Sequence, residues 1–165
     1  MSKKALIVID MQEGFRYPET EAIIPDIITE IKRFEGLVIF TQFFDAKNSL
    51  FERQLKWNKF QKEENQKILK ELDKYDKIVF RHFGYTAIAS ELIEFLKKGN
   101  VKQTYLAGIY TDVSVLKSAM DLFDHGFEVF VLRGACASVH QDQNHNLHES
   151  GLESISHVIG QDHVI

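Results

Sequence analysis

Three observations predict an α/β protein built on a mainly parallel, six-stranded sheet with helices on both faces. Short continuous runs of β-branched and apolar residues recur along the chain, helical patterns fall between them, and 165 residues suit one domain spanning 1–165. Parallel neighbours need long, right-handed, usually helical crossovers, which such an alternation supplies.

The first run, Ala5-Leu6-Ile7-Val8-Ile9, has the unbroken apolar character of a strand covered on both faces and ends in Asp10. Ile24, Ile27, Ile28, Ile31 and Phe34 then make one helix face, with Pro25 tolerated in the first turn. Leu37 to Thr41 reads as the second strand. Phe44 to Lys62 is the least regular part; its Phe51, Leu55, Trp57 and Phe60 fit a site-covering loop or partner surface as well as a short helix packed on the core edge. Ile68, Leu69, Leu72 and Tyr75 suggest another helix, followed by a strand over Lys77 to Arg81. Leu92, Phe95 and Leu96 mark a helix closed by Gly99, before the strand Thr104 to Gly108. Val115, Leu116, Ala119, Met120 and Phe123 mark the next, closed by Gly126 and followed by Glu128 to Leu132. A weaker run, His157-Val158-Ile159, is the sixth candidate strand.

Composition bounds the function. With 44% hydrophobic and 27% charged residues and only two prolines, the chain is globular rather than disordered or collagen-like. A net charge of -4 speaks against a nucleic-acid partner, which would call for a basic surface. No apolar run approaches the roughly 20 residues that cross a bilayer, and Met1 to Lys4 leads directly into the first strand, so a cytoplasmic protein without a membrane partner is expected. Cys136, the single cysteine, can form no intramolecular disulfide and reads as a small buried hydrophobe.

Ligands of open parallel sheets bind beyond the carboxyl ends of the strands, where Asp10, Arg81 and the segment after Gly108 could converge. In Gly108-Ile109-Tyr110-Thr111-Asp112-Val113-Ser114 a strand turns into a helix, and Ser114 lies near the amino end of that helix. Two readings fit: an ordinary serine cap, or a nucleophile beside backbone amides that can hold an oxyanion. Asp10, an acid directly after a strand, can simply cap a turn.

Val8-Ile9-Asp10-Met11-Gln12, Arg81-His82-Phe83-Gly84-Tyr85-Thr86-Ala87 and Gly108 to Leu116 occur in that order. Ala119-Met120-Asp121, Gly126-Phe127 and Ala135-Cys136-Ala137-Ser138 with His140 follow them. In this combination the chain resembles the isochorismatase-like cysteine hydrolases along nearly its whole length. The resemblance implies a Rossmann-like three-layer sandwich and hydrolysis of a small amide, or in some members a vinyl ether, through an Asp, Lys and Cys triad. It implies that Asp10 is the acid, that Arg81 stands at the lysine position and that Ser114 stands at the cysteine position. Tyr110 and Ser114 match the backbone oxyanion hole, with a cis peptide between Ile109 and Tyr110. Gln12, Phe15, Phe44, Tyr85 and Ile109 would line the substrate pocket, and a homodimer or larger homo-oligomer is implied, with Phe51 to Phe60 the candidate contact.

Two positions depart from the family pattern. Arginine keeps a positive charge near Asp10 but cannot give up a proton, and a hydroxyl is a poorer nucleophile than a thiol. Turnover through Ser114 should be weak or altered, unless Ser114 replaces an original cysteine, in which case the parent uses the thiol route. A catalytically silent metabolite-binding or assembly subunit is the alternative, and vinyl-ether cleavage with Asp10 as general acid is another. Nicotinamidase-like members also carry an Asp and two His residues after the second strand. Phe43-Phe44-Asp45-Ala46-Lys47 has no histidine nearby, so neither that metal nor any other cofactor is expected. His82, His125, His140, His145, His148 and His157 read as solvated surface residues.

Overall fold

The computed structural model describes residues 3–139 and 146–165. Five parallel strands, β1 (Lys3–Ile9), β2 (Leu37–Phe43), β3 (Ile78–His82), β4 (Val101–Ile109) and β5 (Glu128–Ala137), lie in the order β3-β2-β1-β4-β5. The helices are α1 (Pro18–Ala22), α2 (Ile24–Arg33), α3 (Leu50–Leu55), α4 (Glu63–Gln66), α5 (Lys70–Asp73), α6 (Ser90–Lys98), α7 (Leu116–Asp124) and α8 (Leu147–Ile159).

The central strand shows why its run is apolar without interruption. Ala5, Ile7 and Ile9 enter a core completed by α6, α7 and α8, while Leu6 and Val8 enter a second core with Ile24 and Ile27 of α2 and Leu72 of α5. Each such side chain contributes about 1.5–3 kcal/mol by leaving water, so β1 is anchored from both sides. From β1 the sheet grows to one edge through β2 and β3 and to the other through β4 and β5, and this reversal of strand order opens a crevice beyond the carboxyl ends of β1 and β4.

Two expected elements differ. The sixth strand does not form: His157 to Ile159 is the last turn of α8, whose Leu152, Ile155 and Ile159 bury one face at helical spacing. Asn146 caps that helix by accepting from the Glu149 amide at 3.1 Å, and the chain beyond it makes a single parallel bridge, Val164 to Val131. The helix expected around Ile68 to Tyr75 shrinks to α5. Leu69 is not helical (ψ 129°) and its amide donates to Met11 O at 3.0 Å, while Ile68 bridges Gln12.

Candidate active site

Asp10 follows β1 directly. It takes a left-handed backbone conformation (φ 54°), a region that Asp tolerates better than most residues, and a bond of 2.8 Å from the Gln12 amide to its carbonyl closes the turn. The carboxylate is 3% exposed. Thr41 on β2 donates its hydroxyl to Asp10 Oδ1 at 2.6 Å and accepts the Asp10 amide at 3.2 Å. His82 at the end of β3 places Nε2 2.7 Å from the same Oδ1, and its Nδ1 lies 3.1 Å from Gly84 O.

A carbonyl oxygen only accepts, so Nδ1 carries a hydrogen, and Nε2 is the atom whose protonation varies. With His82 charged, Nε2 donates to the carboxylate. Burial of His82 favours the neutral ring, but the charge and hydrogen bond of Asp10, with the Gly84 carbonyl, outweigh it and raise the imidazole above its ordinary range.

Arg81 is therefore not the cation beside Asp10. Adjacent strand residues point to opposite faces, so the turn of His82 inward sends Arg81 outward. Its guanidinium is exposed, bonds Gln66 Oε1 at 2.7 Å and lies 4.4 Å from the centre of the Phe44 ring. His82, 4% exposed, likewise corrects the surface reading given to it. The signal was one of period: Phe80, which packs on Phe95, shares the alternation of His82 and marks the inward face.

The other wall follows β4. Gly108 (φ 113°) lets β4 close on β1, since a Cβ there would stand 2.1 Å from Ile9 O. The Ile109–Tyr110 peptide is cis. Thr111 to Val115 then form a wide π-helical turn in which the Val113 and Val115 amides both donate to Tyr110 O. Ser114 sits in this turn, just before α7, and makes no cap there. Gly151 of α8 presses against the turn, where a Cβ would stand 2.7 Å from the Asp112 amide, and Thr111 Oγ1 lies 2.8 Å from His148 Nδ1. His148 is thus half-buried rather than a free surface residue, whereas His125 and His157 are exposed. His140 and His145 lie outside the described residues.

Asp10 and Ser114 line one cavity of about 520 Å³. Phe15 and Tyr85 line it as well, but three other expected pocket residues do not. Gln12 is buried and holds backbone, donating to Phe43 O and Gln66 O and accepting from the Phe43 amide. Phe44 lies under Arg81, and Ile109 is in the core. Phe51, Leu55 and Trp57 also line the cavity, so the irregular stretch resolves into a short helix and loop that cover the site. Cys136 is buried on β5, and the loss of water around it pushes its thiol up to about 12.

The residues after β2 do not fit a metal. Asp45 has a buried, unpartnered Oδ2, but its Oδ1 accepts from the Ala46 amide, Lys47 follows, and no group of three metal-ligating side chains exists among the described residues. No described helix is long and apolar enough to cross a membrane.

Fold and site define a class: a parallel α/β protein with a carboxylate and a hydroxyl facing one crevice at the strand ends. Residues 4–162 match the Isochorismatase domain model, and the chain belongs to that family. The Isochorismatase family protein 2A of Dictyostelium discoideum is 36% identical over 64 residues, covering 38% of this chain and 32% of that one. The uncharacterized isochorismatase family protein PncA of Bacillus subtilis is 36% identical over 59 residues, 35% of this chain and 32% of the relative. The matched segments thus span about a third of these curated relatives. Among solved structures, the pyrazinamidase of Pyrococcus horikoshii in complex with zinc has a TM-score of 0.82 at 25% identity over 95% of this chain and 96% of that one. The nicotinamidase PncA of Bacillus subtilis, at 23% identity and TM-score 0.80 over 96% and 97% of the two chains, shares the fold.

Proposed function

We propose that the protein is a slow hydrolase of small carboxamides or related carbonyl compounds, with Ser114 as nucleophile and Asp10 as base. One observation carries this reading: Asp10 and Ser114, 104 positions apart by their numbers, face the same cavity from the ends of adjacent strands. In this reading Ser114 Oγ attacks the substrate carbonyl and its proton passes to Asp10. Backbone N–H groups of Tyr110 and Ser114 hold the oxyanion. Collapse of the intermediate expels ammonia, which takes the proton from Asp10 and leaves an acyl ester on Ser114. Water, activated by Asp10, then releases the carboxylic acid and restores the hydroxyl.

His82 stands where Arg81 was expected, with Nε2 2.7 Å from Asp10 Oδ1, and in this reading Asp10 is the base. Bonds from His82 and Thr41 already occupy Oδ1 of that base, and a hydroxyl needs stronger assistance than a thiol. Slow turnover follows. Acid cleavage of a vinyl ether by Asp10 ranks below this, because the raised imidazole holds the shared proton on His82.

The test is ammonia release from a panel of small carboxamides. Measurable turnover is expected from the natural chain, none from Ser114→Ala or Asp10→Asn, and about tenfold or greater acceleration from Ser114→Cys, a gain of about 1.4 kcal/mol in the barrier. No ammonia from any variant, with binding retained, would replace this reading with a metabolite-binding protein.

A further inference from the structure

The cavity walls say what charge the substrate should carry. Phe15, Phe43, Phe51, Trp57, Tyr85 and Tyr110 form one connected aromatic lining, with Phe15 to Tyr110 at 5.4 Å, Phe43 to Trp57 at 5.6 Å and Phe51 to Tyr85 at 5.2 Å between ring centres. Asp10 and Asp112 are the charged residues in this wall, and no lysine, arginine or histidine is among the described residues that line it. Asp10 is balanced by His82 behind it. Asp112 is not balanced: its Oδ1 accepts the Ser138 hydroxyl, a neutral partner, and among the described residues it makes no ion pair.

We infer that the cavity selects a flat carboxamide bearing a positive charge, such as a quaternary ammonium or a protonated ring nitrogen, over neutral and anionic compounds of the same shape. The faces of the rings carry negative potential, which attracts a cation within about 6 Å of a ring centre, and Asp112 adds a carboxylate at the same wall. An anionic substrate would meet both as repulsion. Tyr110 responds to this field: burial first, then the charges of Tyr17, Asp112 and Glu19, push its hydroxyl above the ordinary phenol range. This inference rests on the cavity being the substrate site, but it concerns binding and needs no turnover.

Trp57 is the single tryptophan and lines the cavity, so its fluorescence reports occupancy. The probes are 3-(trimethylammonio)benzamide, its neutral isostere 3-tert-butylbenzamide, and 3-carbamoylbenzoate as the anion. The cation is expected to saturate Trp57 at a concentration about tenfold lower than the isostere, a difference of about 1.4 kcal/mol, and the anion is expected to bind weakest. Asp112→Asn, which can still accept the Ser138 hydroxyl, should cut that ratio to about threefold, and Tyr85→Leu should also reduce it. Equal affinity for cation and isostere, or a ratio unchanged in Asp112→Asn, overturns the inference. Preference for the cation without ammonia release from any substrate leaves it standing and defeats the hydrolase reading instead.

Discussion

His82 is the residue on which the chemistry of Asp10 turns. A buried carboxylate is costly unless it is paired, and here the pairing group is a titratable imidazole instead of a permanent cation. Because the folded imidazole is raised above 6.5, its contribution to stability is complete below that value and is lost as pH climbs through the raised one. The unfolding midpoint in urea should therefore fall as pH rises above 6.5. His82→Gln keeps a possible donor to Asp10 but has no proton to lose. It should be less stable than the natural chain at pH 6 by about 1–3 kcal/mol and should lack the decline at higher pH. A variant that retains the decline would assign it to another group. Arg81→Gln, by contrast, touches an exposed guanidinium and should change stability by no more than about 0.5 kcal/mol in the same assay.

At the scale of elements, the π-helical turn after β4 is held from behind by α8. Gly151 is the point of contact, and an added methyl has backbone rather than a flexible side chain to meet. Gly151→Ala should destabilise by about 1–3 kcal/mol and slow ammonia release, because the turn that carries Ser114 must shift. Gly134→Ala, on β5 with open space around it, is the matched control and should do neither. The same elements explain what could be read in advance. The runs at β1, β2, β4 and β5 were legible because buried parallel strands are continuously apolar, and Asp10 because it ends such a run. Val158 and Ile159 misled because two apolar residues fit the end of a helix as well as a short strand; only Ile155 and Leu152, one and two turns earlier, decide between them. The cation position was missed by one residue, since composition does not set strand register and a shift of one exchanges the faces.

Across the whole molecule, parallel order does what no local motif can. It gathers the carboxyl ends of β1, β3 and β4 at one edge, so that Asp10, His82 and the Tyr110 to Ser114 turn meet although the chain separates them widely. The aromatic lining then makes one wall of that crevice apolar. The most direct test is intact-mass and peptide mapping after brief exposure to an activated small aryl ester, which acylates the nucleophile faster than water can clear it. One acyl group on the peptide containing Ser114, absent from Ser114→Ala and much reduced in Asp10→Asn, is the expected result. Acylation that is missing, or that persists unchanged in Ser114→Ala, would contradict the proposed role of Ser114.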